Sequence, residues 1–168
     1  LIVNLFENIK IPAGATGAVN EALDGLINKV IKEEDFKGKL GSTLVIRTYD
    51  AIPAKKVIIV GLGKKDKFDI DAMRKAIAAS IRCAKREKAK TICTISHGTG
   101  IGGIDAKEAG QAISEVAQLS IYSFDKYKSK DKDAGKTEVQ SLTIIETDKT
   151  KIKNMEIGVK KGTIIARA

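Results

Sequence analysis

Hydrophobic residues recur along the chain in two alternating patterns, short continuous runs and longer stretches with helical spacing. The runs at Leu1–Leu5, Thr43–Ile46, Lys56–Val60, Thr91–Ile95 and Ser141–Glu146 have the length and branched side chains of buried strands. The stretches between them place apolar residues at i, i+3, i+4 and i+7, which predicts helices. Because strands and helices alternate, the sequence predicts a layered α/β fold with a parallel or mixed sheet.

Four helices are predicted from the helical spacing. The first carries one apolar stripe from Val19 to Val30, with Thr16 as its N-cap. The other three begin at acidic residues that can cap a helix, namely Asp69 or Asp71, Asp105 and Asp148. The last helix is expected to bury Ile152, Met155 and Val159.

The composition is that of a soluble globular protein, with 43% hydrophobic and 30% charged residues. A length of 168 residues suffices for one domain with its own core. No apolar run approaches the roughly 20 residues that span a bilayer, and the start lacks the features of a secretory signal. Residues 1–168 are therefore expected to form one cytoplasmic domain without a membrane partner.

Positive charge exceeds negative charge, with 30 Lys and Arg against 21 Asp and Glu and a formal net charge of +9. Most of the lysines are scattered, which is typical of a solvated surface. One group follows Tyr122 and Phe124 and consists of Lys126, Lys128 and Lys130. Aromatic side chains among lysines can stack on and neutralise a nucleic-acid strand, so these lysines are candidate DNA contacts. The alternative is that the aromatic residues close the core and the lysines are solvated.

A glycine-rich segment follows the fourth predicted strand. Gly98, Gly100 and Gly103 have the spacing Gly-x-Gly-x-x-Gly, and Gly102 adds a fourth glycine. Glycines between a strand and a helix let backbone N–H groups approach an anion, which makes this loop a candidate anion or nucleotide site. Against a dinucleotide site, the strand is not the first of the fold, and no acidic residue lies at a strand end about 20 residues later. The alternative is a tight strand-to-helix turn.

Catalytic and metal-binding side chains are scarce. His97 is the single histidine, and no nucleophile motif accompanies it. One histidine and two isolated cysteines do not form the closely spaced ligand set that zinc requires. Cys83 and Cys93 are expected to be small buried hydrophobic residues, and His97 a polar residue at a strand end. The sequence therefore predicts no catalytic or metal-binding residue in this chain.

Several segments, in order and approximate spacing, resemble the amino-terminal domain of the leucyl (cytosol) aminopeptidase family. They are Gly14–Gly17 with its continuation Ala22–Gly25, Phe36–Lys39, Ile52–Lys56, Val60–Lys64 and Tyr122–Lys128. The resemblance covers nearly the whole chain. It implies a macro-domain-like, three-layer α/β/α fold with a mixed sheet for residues 1–168.

The resemblance also implies a longer parent enzyme. In this family a carboxy-terminal domain, expected here after Ala168, binds two divalent metal ions (zinc or manganese) and removes amino-terminal residues from peptides. The family's Asn-Thr-Asp-Ala-Glu-Gly-Arg motif is absent from the chain, so no catalytic or metal-binding residue is carried over. A start without Met and an end inside a predicted helix suggest a fragment.

Two functions are compatible with these features. In the first, the chain is an accessory domain that contacts its own catalytic domain, supports assembly of a hexamer and limits access to the active site. In the second, it is a binding module for nucleic acid or for a nucleotide such as ADP-ribose. The second rests on analogy with macro-like folds, on the positive charge and on DNA binding by some bacterial family members.

Overall fold

The strands form one mixed sheet. The structure, a computed structural model, describes residues 1–121 and 139–168. The strands are β1 Ile2–Phe6, β2 Thr43–Arg47, β3 Lys56–Gly63, β4 Thr91–Ile95 and β5 Ser141–Ile145. Their order in the sheet is β2-β3-β1-β4-β5. Strand β1 is parallel to β3 and β4, β4 is parallel to β5, and β2 is antiparallel to β3.

Helices pack on both faces of this sheet. They are α1 Gly14–Ala22, α2 Leu26–Glu33, α3 Ile70–Arg86, α4 Ala106–Ile121 and α5 Lys149–Arg167. Helices α1 and α2 bury one face of β1–β3 around Val3 and Ile59. Helices α3 and α4 bury the opposite face around Ile2 and Ile58. Successive residues of one strand therefore enter different cores, as strand geometry requires. The predicted three-layer α/β/α fold with a mixed sheet is confirmed.

The single helix predicted from Val19 to Val30 is wrong, because the structure has two helices there. The backbone turns at Asp24 and Gly25, whose φ values are 50° and 81°. The apolar stripe does not reveal the break, because Leu23 before the turn and Ile27 after it enter the same core. A left-handed residue is least costly at glycine, and Gly25 is the residue that opens α2.

The prediction of Thr16 as an N-cap is also wrong. Helix α1 begins at Gly14, and Thr16 lies inside it with 2% of its surface exposed. Its hydroxyl donates to the backbone carbonyl of Asn4 at 2.7 Å. The side chain therefore fastens α1 to the central strand and does not cap the helix.

Two of the predicted buried side chains are exposed. Cys83 is buried as expected, whereas Cys93 is exposed. It lies on the side of β4 opposite to α3 and α4, where none of the described helices packs. In α5, Met155 is buried, but Ile152 is 38% exposed.

Helix α5 packs on α4 through glycines. A Cβ atom on Gly158 would overlap the carbonyl of Lys107, and one on Gly162 would overlap the carbonyl of Gln111. On α4, Gly110 likewise meets backbone atoms of α5. Glycines at i and i+4 share one helix face, so the two backbones come into direct contact. This contact explains the error at Ile152, because the prediction assumed that apolar side chains mark the buried face.

The close approach of the two helices is accompanied by hydrogen bonds between them. The Ser114 hydroxyl donates to the carbonyl of Val159 at 3.0 Å, and the Gln118 amide donates to the Thr163 hydroxyl at 3.1 Å. The two pairs follow the same order along both helices. Helices α4 and α5 are therefore parallel neighbours.

Replacing Gly158 by alanine is expected to lower the free energy of unfolding. Helix propensity alone would stabilise the variant by about 1 kcal/mol. The added Cβ, however, meets the backbone of α4, and such overpacking costs about 1–3 kcal/mol. Urea denaturation of Gly158→Ala should show a net loss. Asn154→Ala, on the exposed surface of the same helix, is the control and should stay within about 0.5 kcal/mol of the parent sequence. Equal stability of Gly158→Ala and the parent would contradict the contact.

Candidate functional site

A cavity of about 440 Å³ lies at the carboxyl ends of β1, β4 and β5. The chain leaves β1 toward α1 on one face of the sheet and leaves β4 toward α4 on the other face. Ligands of open α/β sheets bind in the crevice where connections diverge in this way. The cavity lining comes from the ends of these strands, the segments that follow them, the start of α1 and Lys65. Its position therefore makes it the candidate site of this fold.

The four predicted glycines lie in the loop between β4 and α4. Gly98, Gly100, Gly102 and Gly103 have φ values of 68°, 88°, 64° and 76°, a conformation that favours glycine. Packing also requires two of them, because a Cβ on Gly98 or Gly102 would overlap the ring or the carbonyl of Phe68. Of the four, Gly98 contributes to the cavity lining.

Backbone N–H groups of this loop bond within the loop. The N–H of Gly100 donates to the carbonyl of Ile104 at 2.9 Å, and that of Ile101 donates to Gly98 at 2.8 Å. These bonds favour the tight turn over a phosphate cradle. The Thr99 hydroxyl is buried and has no partner among the residues that the structure describes. An anion or nucleotide at these glycines stays a prediction.

His97 lies under this loop and is 1% exposed. Its Nδ1 lies 3.2 Å from the side-chain nitrogen of Asn4, and its Nε2 lies 2.8 Å from the Thr94 hydroxyl. An amide nitrogen can only donate, so Nδ1 accepts and Nε2 carries the proton. The Thr94 oxygen then accepts from Nε2, while its own proton is directed to the Ile95 carbonyl at 3.3 Å. Both ring nitrogens are thus engaged inside the protein.

Burial lowers the pKa of His97 to about 4, which keeps the ring neutral at physiological pH. The imidazole is neutral, buried and hydrogen-bonded at both nitrogens. It therefore holds the strands together and does not transfer protons to a ligand. Sequence reasoning missed Asn4 as its partner. The available signal was that Asn4 is the one polar residue in the apolar run Leu1–Phe6.

Glu146 places a fixed negative charge at the cavity. Its carboxylate accepts from the Ser96 hydroxyl at 2.8 Å and from the backbone N–H groups of Thr147 and Asp148 at 2.8 and 3.0 Å. Partial burial alone would raise the pKa of Glu146, but these hydrogen bonds and the nearby Lys151 outweigh it and lower the pKa. A phosphate in this cavity would therefore meet a carboxylate that already binds the two backbone amides just before α5.

The remaining predicted site residues cannot be placed, because Lys126, Lys128 and Lys130 lie outside the described residues. Within residues 1–121 and 139–168, no group of three or more His, Cys, Asp or Glu side chains is arranged to hold a metal ion. In the same ranges, no helix is both long enough and apolar enough to cross a membrane.

The free energy of unfolding is expected to fall as the pH drops from 6.5 to 4. An unfolded histidine binds a proton near pH 6.5, whereas folded His97 stays neutral down to about pH 4. The unfolded state therefore binds more protons in this window, and about 3 kcal/mol of stability is lost across it. Urea denaturation at several pH values measures the loss. His97→Gln should remove this part of the pH dependence and keep the part due to carboxylates, so identical slopes for the two proteins would exclude His97 as the cause.

The sequence matches one protein family and longer members of it. Residues 2–131 match the model of the cytosol aminopeptidase family, N-terminal domain. The chain is 36% identical over 99% of its length to a probable cytosol aminopeptidase of Alkaliphilus oremlandii. It is 32% identical over 100% of its length to that of Alkaliphilus metalliredigens. It covers 34% and 33% of these relatives, and thus spans about a third of their length.

Solved structures share the fold. A mutant of tomato leucine aminopeptidase aligns with a TM-score of 0.66 and 20% identity, over 94% of this chain and 32% of that one. A macrodomain of Oceanobacillus iheyensis with MES bound aligns with a TM-score of 0.70 and 13% identity, over 95% and 82%. These TM-scores establish the macro-domain-like fold, and the sequence matches establish the family. The chain belongs to the cytosol aminopeptidase family, in which it corresponds to the N-terminal domain.

Proposed function

We propose that residues 1–168 are the accessory N-terminal domain of a longer cytoplasmic aminopeptidase that removes amino-terminal residues from peptides. The observation that carries this proposal is the match of residues 2–131 to the model of the family's N-terminal domain. The relatives that the chain matches are about three times as long as the chain. The chemistry is assigned to a catalytic domain after Ala168. Two divalent metal ions, zinc or manganese, would activate water and polarise the peptide carbonyl in that domain.

The geometry of the described residues supports this division of labour. His97 is neutral and bonded on both ring nitrogens, so it offers no general base to a substrate. The described carboxylates, histidine and cysteines form no metal-ligand cluster. The residues of this chain are therefore proposed to position and assemble the parent enzyme, while the other domain binds the metals.

The outer face of α5 supports a role in assembly of a hexamer and in access to its interior. Ile157 and Ile164 are 44% and 70% exposed. Seven residues apart, they share one side of the helix, opposite to Gly158 and Gly162. Apolar side chains aligned on an exposed helix are suited to contact another domain or subunit. This face is therefore the proposed contact with the rest of the parent protein.

The nucleic-acid or nucleotide alternative has less support. Amides of the glycine loop bond to one another, and Glu146 adds negative charge to the cavity. The lysines proposed to contact DNA lie outside the described residues. Binding of DNA or of a nucleotide stays a prediction.

The 168-residue chain is expected to be inactive on leucine p-nitroanilide with added manganese or zinc, because its described part holds no cluster of metal-ligand side chains. The full-length parent should hydrolyse the same substrate, and a chelator should abolish its activity. The rate of p-nitroaniline release, followed by absorbance, measures both activities. Metal-dependent turnover by the purified chain would refute the division of labour.

In the full-length parent, Ile164→Lys is expected to weaken subunit assembly, because it places a charge in the proposed apolar contact. Light scattering should show a smaller mass than that of the unaltered parent. Asn154→Lys, another exposed position of α5 outside the Ile157–Ile164 line, is the matched control and should not change the mass. An unaltered number of subunits per particle after deletion of residues 1–168 would contradict the assembly role.

A further inference from the structure

The cavity at the carboxyl ends of β1, β4 and β5 is bordered by groups of opposite charge. Its volume of about 440 Å³ lies in the lower part of the range for small-molecule sites. The Glu146 carboxylate follows β5, whereas the start of α1 follows β1 and Lys65 follows the neighbouring β3. With β4 between them, β1 and β5 lie about 10 Å apart, at about 4.8 Å per strand. One small molecule with a positive and a negative group can therefore reach both sides.

Glu146 provides the negative side with an acceptor position for a ligand. Its Oε1 accepts from the N–H groups of Thr147 and Asp148, whereas its Oε2 accepts from the Ser96 hydroxyl among the described residues. A carboxylate oxygen has two lone pairs, so Oε2 can take a further donor. The ammonium group of Lys151 is paired with Asp148 at 3.4 Å. An ammonium group of a ligand therefore fits at Oε2.

The start of α1 and Lys65 provide the positive side. The N-cap residue of α1 is Ala13, whose side chain cannot accept a hydrogen bond from the first turn. The N–H groups of Gly14 and Ala15 are among those that a helix leaves without an internal partner, and both residues line the cavity. Lys65 adds an ammonium group. A carboxylate group of a ligand fits here, because helix amino termini and lysine side chains both favour anions.

Thr99 offers an additional donor from the loop between β4 and α4. It lines the cavity, and its hydroxyl oxygen is buried without a hydrogen-bond partner among the residues that the structure describes. A buried hydroxyl without a partner costs free energy. Rotation between the staggered positions of χ1 brings this hydroxyl to the cavity side, where a polar group of a ligand can bind it.

Apolar side chains form the surface between the two charged sides. Ile95 and Ile145 are register partners at the ends of β4 and β5, on the side of the sheet opposite to α3 and α4. Ile9 and Ile101 add apolar surface from the loops after β1 and β4. Ile9 and Ile145 are 44% and 43% exposed. An apolar group of a ligand would remove this surface from water, which is favourable.

We propose that this cavity binds a free amino acid with an apolar side chain. The ammonium group of the amino acid binds Glu146, and its carboxylate binds Lys65 and the amides that open α1. Its side chain lies on Ile95 and Ile145. Free amino acids are the products of an aminopeptidase, so the inference deepens the proposed function and rests on it for its biological meaning. The accessory domain then carries a product-binding site of its own, separate from the catalytic domain.

The test is a titration of the isotope-labelled 168-residue chain with L-leucine, followed by amide NMR spectra. Saturable shifts are expected for Gly14, Ala15, Ser96 and Thr147, with a Kd of about 1 mM or less. N-acetyl-L-leucine lacks the ammonium group, and L-leucinamide lacks the carboxylate. Each should bind at least about tenfold more weakly than leucine, because each loses a charge-assisted interaction. No saturable shifts, or equal binding of leucine and both analogues, would overturn the proposal.

Three variants and one matched control locate the site. Ala15→Asp places a carboxylate in the first turn of α1, which favours the helix but repels the carboxylate of the ligand. This variant, Glu146→Gln and Lys65→Gln should each weaken leucine binding at least about tenfold. Lys67→Gln changes a lysine of the same segment outside the cavity lining and should bind like the parent sequence.

Thermal unfolding of each variant separates loss of the site from loss of the fold, and Ala15→Asp should be at least as stable as the parent sequence. Unchanged leucine binding by folded Ala15→Asp and Glu146→Gln would place the ligand elsewhere and refute the proposal. Saturable binding of ADP-ribose without binding of leucine would overturn it in favour of a nucleotide.

Two further outcomes separate this inference from the proposed function. Leucine binding by the chain together with an inactive full-length parent would refute the proposed function and leave the amino-acid site standing. Absence of leucine binding together with an active parent would refute the amino-acid site alone.

Discussion

Asn4, in the central strand, is hydrogen-bonded on both sides of the sheet. Its carbonyl accepts from the Thr16 hydroxyl of α1, and its side chain donates to His97 in the loop after β4. The His97 ring in turn binds Thr94 of the neighbouring strand. The loop after β1 and the loop after β4 are therefore fixed to one residue. Both loops contribute to the wall of the cavity at the carboxyl ends of the strands, so the shape of the cavity depends in part on this shared anchor.

The elements determined by local chemistry could be predicted from the sequence. Strands appeared as branched apolar runs, and Asp69 and Asp148 cap α3 and α5 as expected. The break at Gly25 could not be predicted, because the apolar stripe continues across it. Burial of α5 through Gly158 and Gly162 was also hidden, since hydrophobic periodicity detects side chains and not contact between backbones.

At the candidate site, prediction from the sequence met the same limit, because contacts there join residues that are far apart in the chain. The spacing of Gly98, Gly100, Gly102 and Gly103 correctly indicated a strand-to-helix loop, but hydrogen bonds inside the loop depend on its folded path. Asn4 and His97 lie 93 residues apart, so no local pattern joins them. Ordered segments resembling the family identified it from sequence alone, because they record ancestry, whereas a ligand site must be argued from geometry.

The exposed side of β4 has a practical consequence for spectroscopy. Cys83 and Cys93 are the two cysteines of the sequence, and one is buried while the other is accessible. A maleimide dye should therefore attach at Cys93 without prior mutagenesis. Cys93 is the register partner of Thr143 on β5. A fluorophore at Cys93 would therefore lie beside β5 in the sheet. This natural thiol is thus a ready attachment point for distance measurements.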